Sequence, residues 1–325
     1  MIRIGILGAA KIGPMAIIQP ASRRQDCTIT AVASRDGDKA KSYAEQHGIP
    51  AVVTDYQELI EREDVDLVYN ALPPHRHADL TIAALEAGKA VLCEKPFAMN
   101  AREAIDMVTA AHRTGQTLVE AFHYRFHPAF QMVVDIVRRE ELGALHTMEG
   151  CFDVEIPYRD GELRHTLELG GGALMDLGCY PLHMVRTLAG AEPQILSAEA
   201  VCEREGVDLS MKAQLSFPGG VKAKIHTSMA PGVTRKIFLR AECADGSIEM
   251  TNPVHPQLGH EITIHHKGQT RVESVPSSTT YDHQLSHVLN VMRGRAAPLT
   301  GGADAVGNMS AIDAIYTAAG LNPRG

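Results

Sequence analysis

Short apolar runs alternate with amphipathic stretches through the first 120 residues. Ile2, Ile4, Ile6 and Leu7 make a run suited to a strand buried on both faces. Cys27 to Ser34 reads as a second strand, followed by Val52-Val53, Val65 to Leu72, Ala90 to Cys93, and Thr117 to Val119. The spacing between them predicts helices: one beginning near Lys11, then Asp38 to His47, Tyr56 to Arg62, Ala78 to Ala87, and Ala101 to Thr114. Gly48-Ile49-Pro50 and Gly88 are stop signals. Strict alternation of strand and helix predicts a doubly wound parallel sheet of the α/β class, closing near Glu120.

Beyond residue 144 the pattern changes to strand after strand. Ala144 to Val154, Gln194 to Cys202, Asp208 to Phe217, Val221 to Thr227, Arg235 to Ala241, Gly246 to Met250, Glu261 to His265 and Thr270 to Val275 all read so. Phe217-Pro218-Gly219-Gly220-Val221 and Ala244-Asp245-Gly246 are hairpin turns. Thr280 to Arg293 and Ala303 to Ala319 are closing helices. The change in pattern divides the chain into residues 1–121 and an α+β domain of residues 122–325, with a closing helix able to pack back on the first.

Length and charge narrow the class. The 325 residues suffice for two cores. A net charge of −8 argues against nucleic acid or an anionic membrane as main partner. No apolar run reaches the roughly 18–20 residues that span a bilayer, and Ile2 already belongs to a strand, so no signal peptide is expected. The six cysteines are scattered without a Cys-x-x-Cys, which suits reduced thiols in a cytoplasmic protein.

The first strand runs into Gly8-Ala9-Ala10-Lys11-Ile12-Gly13. Gly8 can take a backbone shape closed to other residues, and small Ala10 lets a bound group approach the main chain. Gly13 would let the helix pack against its strand. The N–H groups at the helix start then suit a pyrophosphate, which makes this a dinucleotide-binding, Rossmann-type turn whose middle glycine is replaced. A purely structural turn is the competing reading. At the end of the second strand, where an adenosine ribose would lie, Ser34-Arg35-Asp36 offers a hydroxyl and a guanidinium first. That suits the 2′-phosphate of NADP better than NAD. Asp36 could instead cap the next helix or touch the ribose. The fourth strand ends in Leu72-Pro73-Pro74-His75-Arg76-His77, a loop expected to touch the cofactor through Leu72, Pro73 and His77. His75 and His77 have no nearby third ligand, so no metal is expected there.

Three further stretches carry chemistry. Glu94-Lys95-Pro96 follows the fifth strand; its amine can hold a hydroxyl or polarise a carbonyl, and the Lys95-Pro96 bond is a candidate for cis. Glu120 to Pro128 reads as a strand leaving the first domain with polar rings and a guanidinium, including His123 and Arg125. Gly170-Gly171-Gly172 precedes an apolar helix on which Asp176, Tyr180 and His183 share one face. Buried Tyr and His can also simply satisfy carbonyls. Arg159, Arg164 and His165 lie on the polar loop before the glycines, and His265-His266 reads as a solvated edge.

Gly8-x-Ala10-x-x-Gly13, Glu94-Lys95-Pro96, Glu120 to Pro128 and Gly170 to His183 resemble, in order and spacing, the glucose-fructose oxidoreductase, inositol dehydrogenase and rhizopine-catabolism (Gfo/Idh/MocA) family. The resemblance spans the chain and is strongest to the tyrosine branch, with NADP-dependent xylose dehydrogenases and trans-dihydrodiol dehydrogenases. It implies that the second domain is a large, mostly antiparallel open sheet with helices on one face, which binds substrate and forms a homodimer or homotetramer. It maps the family's lysine to Lys95, its aspartate to Asp176 and its tyrosine to Tyr180, and brings Tyr281 and His283 towards the cleft. His123 replaces a usually apolar residue, and His183 also departs from the family pattern.

The resulting expectation is an NADP(H)-dependent dehydrogenase acting on a sugar or cyclic polyol or diol. Gly8, Ala9, Ala10, Lys11, Ile12, Ser34, Arg35, Leu72, Pro73, His77, Glu94 and Lys95 would bind the cofactor. Lys95, Tyr180 and Asp176 would be catalytic, and His123, Arg125, Arg164 and His183 would contact substrate. The Lys95 charge would lower the phenol's pKa, normally about 10. Two competing readings are an NAD-dependent glycoside hydrolase working by transient oxidation, and a non-catalytic NADPH-binding sensor.

Overall fold

The computed structural model describes all residues, Met1–Gly325. The chain forms two compact units: Met1–Phe122 with Tyr281–Val306, and His123–Thr280 with Gly307–Gly325. The second unit is therefore interrupted rather than one continuous stretch.

In the first unit β1 (Ile2–Leu7), β2 (Cys27–Ala33), β3 (Ala51–Val53), β4 (Leu67–Asn70), β5 (Ala90–Cys93) and β6 (Leu118–Glu120) form a parallel sheet in the order β3-β2-β1-β4-β5-β6. The strand order reverses beside β1, which creates a crevice beyond the strand ends. The connecting helices are α1 (Gln19–Ser22), α2 (Gly37–His47), α3 (Tyr56–Glu61), α4 (His77–Glu86) and α5 (Ala101–Thr114). Ala104, Met107, Ala110 and Ala111 of α5 are buried at helical spacing, and the Asn100 side chain caps its start.

The first helix begins two residues after Lys11, at Gly13. Lys11 and Ile12 form a turn, and the helix opens as a widened π turn over Pro14–Ile18 before α1. Pro14 supplies no N–H, and those of Met15 and Ala16 are held by the Ile12 carbonyl. Gly13 also differs in role. A Cβ there would meet the Tyr43 hydroxyl from α2, so this glycine makes room for a helix side chain, not for a strand.

The second unit contains α6 (Pro128–Arg138), β7 (Leu145–Asp153), α7 (Cys179–Ala189), β8 (Gln194–Arg204), β9 (Val207–Ser216), β10 (Lys222–Ser228), β11 (Lys236–Cys243), β12 (Gly246–Thr251), β13 (Ile262–His266) and β14 (Gln269–Glu273). The eight strands form one sheet in the order β14-β13-β12-β11-β7-β10-β9-β8. All its pairs are antiparallel except β7 with β10. α8 (Thr280–Met292) and α9 (Ala303–Ala318) follow. His265 and His266 lie on β13, one strand in from the edge.

α7 covers one face of this sheet. Gly150 lies directly beneath it, since a Cβ there would come 2.9 Å from Pro181 Cβ. The opposite face is polar, as in the paired row Gln214, Lys224, Glu149, Arg240 and Glu249. A fully buried cluster secures the start of α7 from below. Asp208 accepts bonds from Arg324 (2.8 Å), the Tyr316 hydroxyl (2.9 Å) and the Leu174 N–H (2.7 Å).

Candidate active site

The first unit contributes loops at the C-terminal ends of its parallel strands. Gly8 has φ +96°, and a Cβ there would lie 3.0 Å from Leu72 Cδ2. Its N–H donates to the Ala33 carbonyl at 2.8 Å, and the Ala71 N–H donates to Leu7 at 3.0 Å. The loops after β1, β2 and β4 are thus stitched together around the strand-order reversal, and a side chain at Gly8 would fill the cradle.

At the end of β2, Ser34 is buried and accepts from the Asp36 N–H (3.3 Å), while Arg35 is exposed. Asp36 caps α2 by accepting from the Lys39 N–H at 3.0 Å. The carboxylate is thereby committed to the helix, and Arg35 remains the outward-facing group. Burial lowers the His75 pKa, and the charges of Arg76 and Arg35 add to that effect.

The loop after β4 is shaped by His77. Its ring is fully buried, with Nε2 2.7 Å from the Leu72 carbonyl and Nδ1 2.9 Å from the Pro96 carbonyl. Both nitrogens face main chain, so His77 joins this loop to the turn after β5 and offers no ring nitrogen to a ligand. In that turn the Lys95-Pro96 bond is cis, as the sequence suggested. Lys95 is half-buried. The buried Tyr69 hydroxyl donates to Glu94 at 2.5 Å, and burial together with the Glu94 charge raises the Tyr69 pKa. Tyr281 is buried in the same unit, and burial followed by the charge of Glu94 raises its pKa.

The second unit contributes polar rings. The expected strand through Phe122 to Pro128 is absent. β6 stops at Glu120 and His123–Phe126 form a 3₁₀ turn. His127 caps α6, its Nδ1 accepting from the Ala129 N–H at 3.1 Å. Proline at the first helical position enforces that boundary. The tight turn places His123 and Tyr124 against α7. His123 Nε2 lies 3.3 Å from the Tyr180 hydroxyl, and its Nδ1 lies 2.8 Å from Thr280 Oγ1. The Tyr124 hydroxyl lies 2.6 Å from His183 Nδ1. Tyr124 and Phe152 flank the Tyr180 ring at centroid distances of 5.7 and 5.5 Å, and His255 stacks on His123 at 5.1 Å.

Asp176 stands in a π turn, Leu174–Gly178, ahead of α7. Widened turns of this kind re-aim side chains that an even helical spacing would align. Its carboxylate accepts from Arg164 Nε at 2.6 Å, and Arg164 also reaches Glu162 at 2.8 Å. The Asp176 charge is the main cause raising the Arg164 pKa. His165 is buried with Nε2 2.9 Å from the Ile156 carbonyl. Arg125 is buried with its guanidinium 5.9 Å from the Phe130 ring centre.

The second unit therefore joins His123 to Tyr180 and Arg164 to Asp176, while His183 is reached through Tyr124. Sequence reasoning missed Tyr124, His255 and Thr280 as neighbours. Tyr124 lay inside a stretch already singled out; His255 and Thr280 carry no local signal, being more than 120 residues from His123.

Comparison with known proteins agrees with this division. Residues 2–122 match the family model GFO_IDH_MocA, described as an oxidoreductase family with an NAD-binding Rossmann fold. Residues 130–249 match the GFO/IDH/MocA C-terminal domain. The chain is 32% identical over 318 residues to D-xylose 1-dehydrogenase (NADP(+)) 2 of Haloferax volcanii, covering 97% of this chain and 96% of that protein. It is 33% identical over 227 residues to trans-1,2-dihydrobenzene-1,2-diol dehydrogenase of Xenopus tropicalis, covering 69% and 68%. A crystal structure of a 3-ketoreductase from Actinomadura kijaniata with NADP and TDP-benzene superposes with a TM-score of 0.90 at 27% identity, covering 98% and 97%.

Proposed function

Because the chain belongs to the Gfo/Idh/MocA oxidoreductase family, we propose that it is an NADP(H)-dependent enzyme that interconverts a hydroxyl and a carbonyl on a sugar or a cyclic polyol or diol. The named activities of its relatives support that substrate class. The cofactor suits the residues present. The Gly8 cradle admits a pyrophosphate near the main-chain N–H groups of Ala9, Ala10, Lys11 and Ile12. Ser34 and Arg35 bind the cofactor's 2′-phosphate in this reading, which the use of Asp36 in the α2 cap supports. Leu72, Pro73 and Glu94 line the same strand ends.

The nicotinamide, when bound, accepts or returns a hydride. Tyr180 takes the proton of the substrate hydroxyl during oxidation and returns it during reduction. His123 governs that exchange. A neutral imidazole carries one ring proton. With the proton on Nδ1, the ring donates to Thr280 and accepts from the Tyr180 hydroxyl; with it on Nε2, it donates to the phenolate oxygen. Lys95 contributes a positive charge to the developing alkoxide. Asp176 holds Arg164, and this pair orients the substrate's remaining hydroxyls. His183 fixes Tyr124 against the Tyr180 ring.

The observation that carries this reading is the Tyr180 hydroxyl resting on an imidazole that is itself bonded on its far side. A screen of aldoses, inositols and cyclic diols with NADP and with NAD, following reduced-cofactor absorbance, tests it. Turnover of at least one class with NADP is expected; aglycone release with no reduced cofactor would contradict it.

In this reading two copies of the chain pair through the β7–β14 sheet along its edge strand β8, whose exposed Leu196 and Val201 support that assignment. No helix is long and apolar enough to cross a membrane. Cys27, Cys93, Cys151, Cys202 and Cys243 form no disulfide, which supports a cytoplasmic setting.

A further inference from the structure

We propose that Cys151, Asp153 and His226 form a three-ligand site for a zinc-type divalent transition metal on the open face of the second unit's sheet. None of these residues takes part in the proposed reaction. The site follows from register. Cys151 and Asp153 are two residues apart on β7 and share a face. β10 runs parallel to β7 with His226 opposite Cys151. The three ligand atoms lie within 4.8 Å of one another.

The separations suit chelation. Tetrahedral zinc bonds of about 2.0–2.3 Å place neighbouring ligand atoms about 3.3–3.6 Å apart. Here Asp153 Oδ2 and His226 Nδ1 are 3.0 Å apart, and Cys151 Sγ and His226 Nδ1 are 3.9 Å apart. Adjustments of a few tenths of an ångström would seat an ion. Asp153 is 6% exposed, and its Oδ1 is a buried oxygen without a hydrogen-bond partner. An uncompensated buried carboxylate oxygen is costly, and a cation held by both oxygens of Asp153 would relieve it. His226 is half-exposed, which leaves an entry path and an open fourth position.

The donor set selects the metal. Thiolate and imidazole favour zinc-like ions over calcium or magnesium, which take oxygen ligands. In the metal-free chain burial pushes the Cys151 thiol up to about 12, so it rests protonated against the Lys236 carbonyl. Binding releases that one proton to solvent, while the imidazole proton moves from Nδ1 to Nε2. Lys212 and Lys236 flank the site, and Lys236 is drawn onto the Phe238 ring, 4.6 Å from its centre.

The test uses the full chain stripped with a chelator and titrated with Zn²⁺ against a chromophoric competitor, then with Co²⁺. One equivalent should bind, with a thiolate-to-cobalt absorption band. Cys151→Ser should abolish the band, and Cys151→Ser, Asp153→Asn and His226→Ala should each weaken binding at least tenfold. His265→Ala, on the same sheet, should bind as the parent does. If Cys151→Ser fails to fold, His226→Ala decides, since that side chain is half-exposed. Absence of stoichiometric binding, or equal binding by His226→Ala and the parent, overturns the proposal.

Discussion

The Tyr180 hydroxyl lies 3.3 Å from His123 Nε2, and the far nitrogen of the same ring lies 2.8 Å from Thr280 Oγ1. An imidazole held at both ends can exchange its proton position without moving. His123→Phe keeps a buried ring but removes both bonds. It should lower kcat/KM by about ten- to a hundredfold and, in the direction of carbonyl reduction, move the basic limb of the pH profile upwards. His123→Gln should recover part of the loss. An unchanged profile in His123→Phe would show that Tyr180 works alone.

Arg35 is the exposed cation at the end of β2, with Asp36 committed to the α2 cap. A lost charge-assisted hydrogen bond costs about 1.5–3 kcal/mol. Arg35→Ala should therefore raise the KM for NADP by at least about tenfold and leave that for NAD nearly unchanged. Equal effects on both would place the 2′-phosphate elsewhere.

Arg324 and Asp208 are buried as an ion pair beneath the start of α7. Removing one partner strands the other, at a cost of about 3–5 kcal/mol. Arg324→Met should lower Tm clearly. Adding Asp208→Asn should cost less than the sum of the single changes, because no charge is then left stranded. Strict additivity in a double-mutant cycle would deny the coupling.

Asp26 is bonded to Arg24 and to Arg293 at the end of α8. The Arg24 hydrogen bond, then that of Arg293, holds its pKa below the ordinary carboxylate value. The stabilisation is present above the unfolded-state pKa of about 3.9 and is lost as pH falls through the lower folded value. Asp26→Asn should thus lower Tm slightly at pH 7, under about 1 kcal/mol for such exposed pairs. The gap should close below about pH 4. A gap that widens in acid would reverse the sign.

Much of this architecture was legible because it is written in local periodicity. The Ala90 to Cys93 strand and the Ala101 to Thr114 helix end where the sequence predicted. All eight second-domain strands appear within a few residues of expectation. What escaped depends on geometry that periodicity does not encode. The π turns at Pro14–Ile18 and Leu174–Gly178 have the same composition as ordinary helix starts. The 3₁₀ turn at His123 looks like a strand because the stretch is dense in aromatic rings. His77 resembles a ligand until its two carbonyl partners are seen. The Cys151, Asp153 and His226 cluster needs the β7–β10 pairing, which joins segments about 75 residues apart.

The central proposal is that Lys95 and Tyr180 are both needed for turnover. Steady-state turnover of Lys95→Met and Tyr180→Phe, with NADPH affinity measured by fluorescence on the same samples, tests it most directly. Losses in kcat of about 10²–10⁴-fold with cofactor affinity within a few-fold of the parent are expected. Near-normal turnover in both variants would contradict the account.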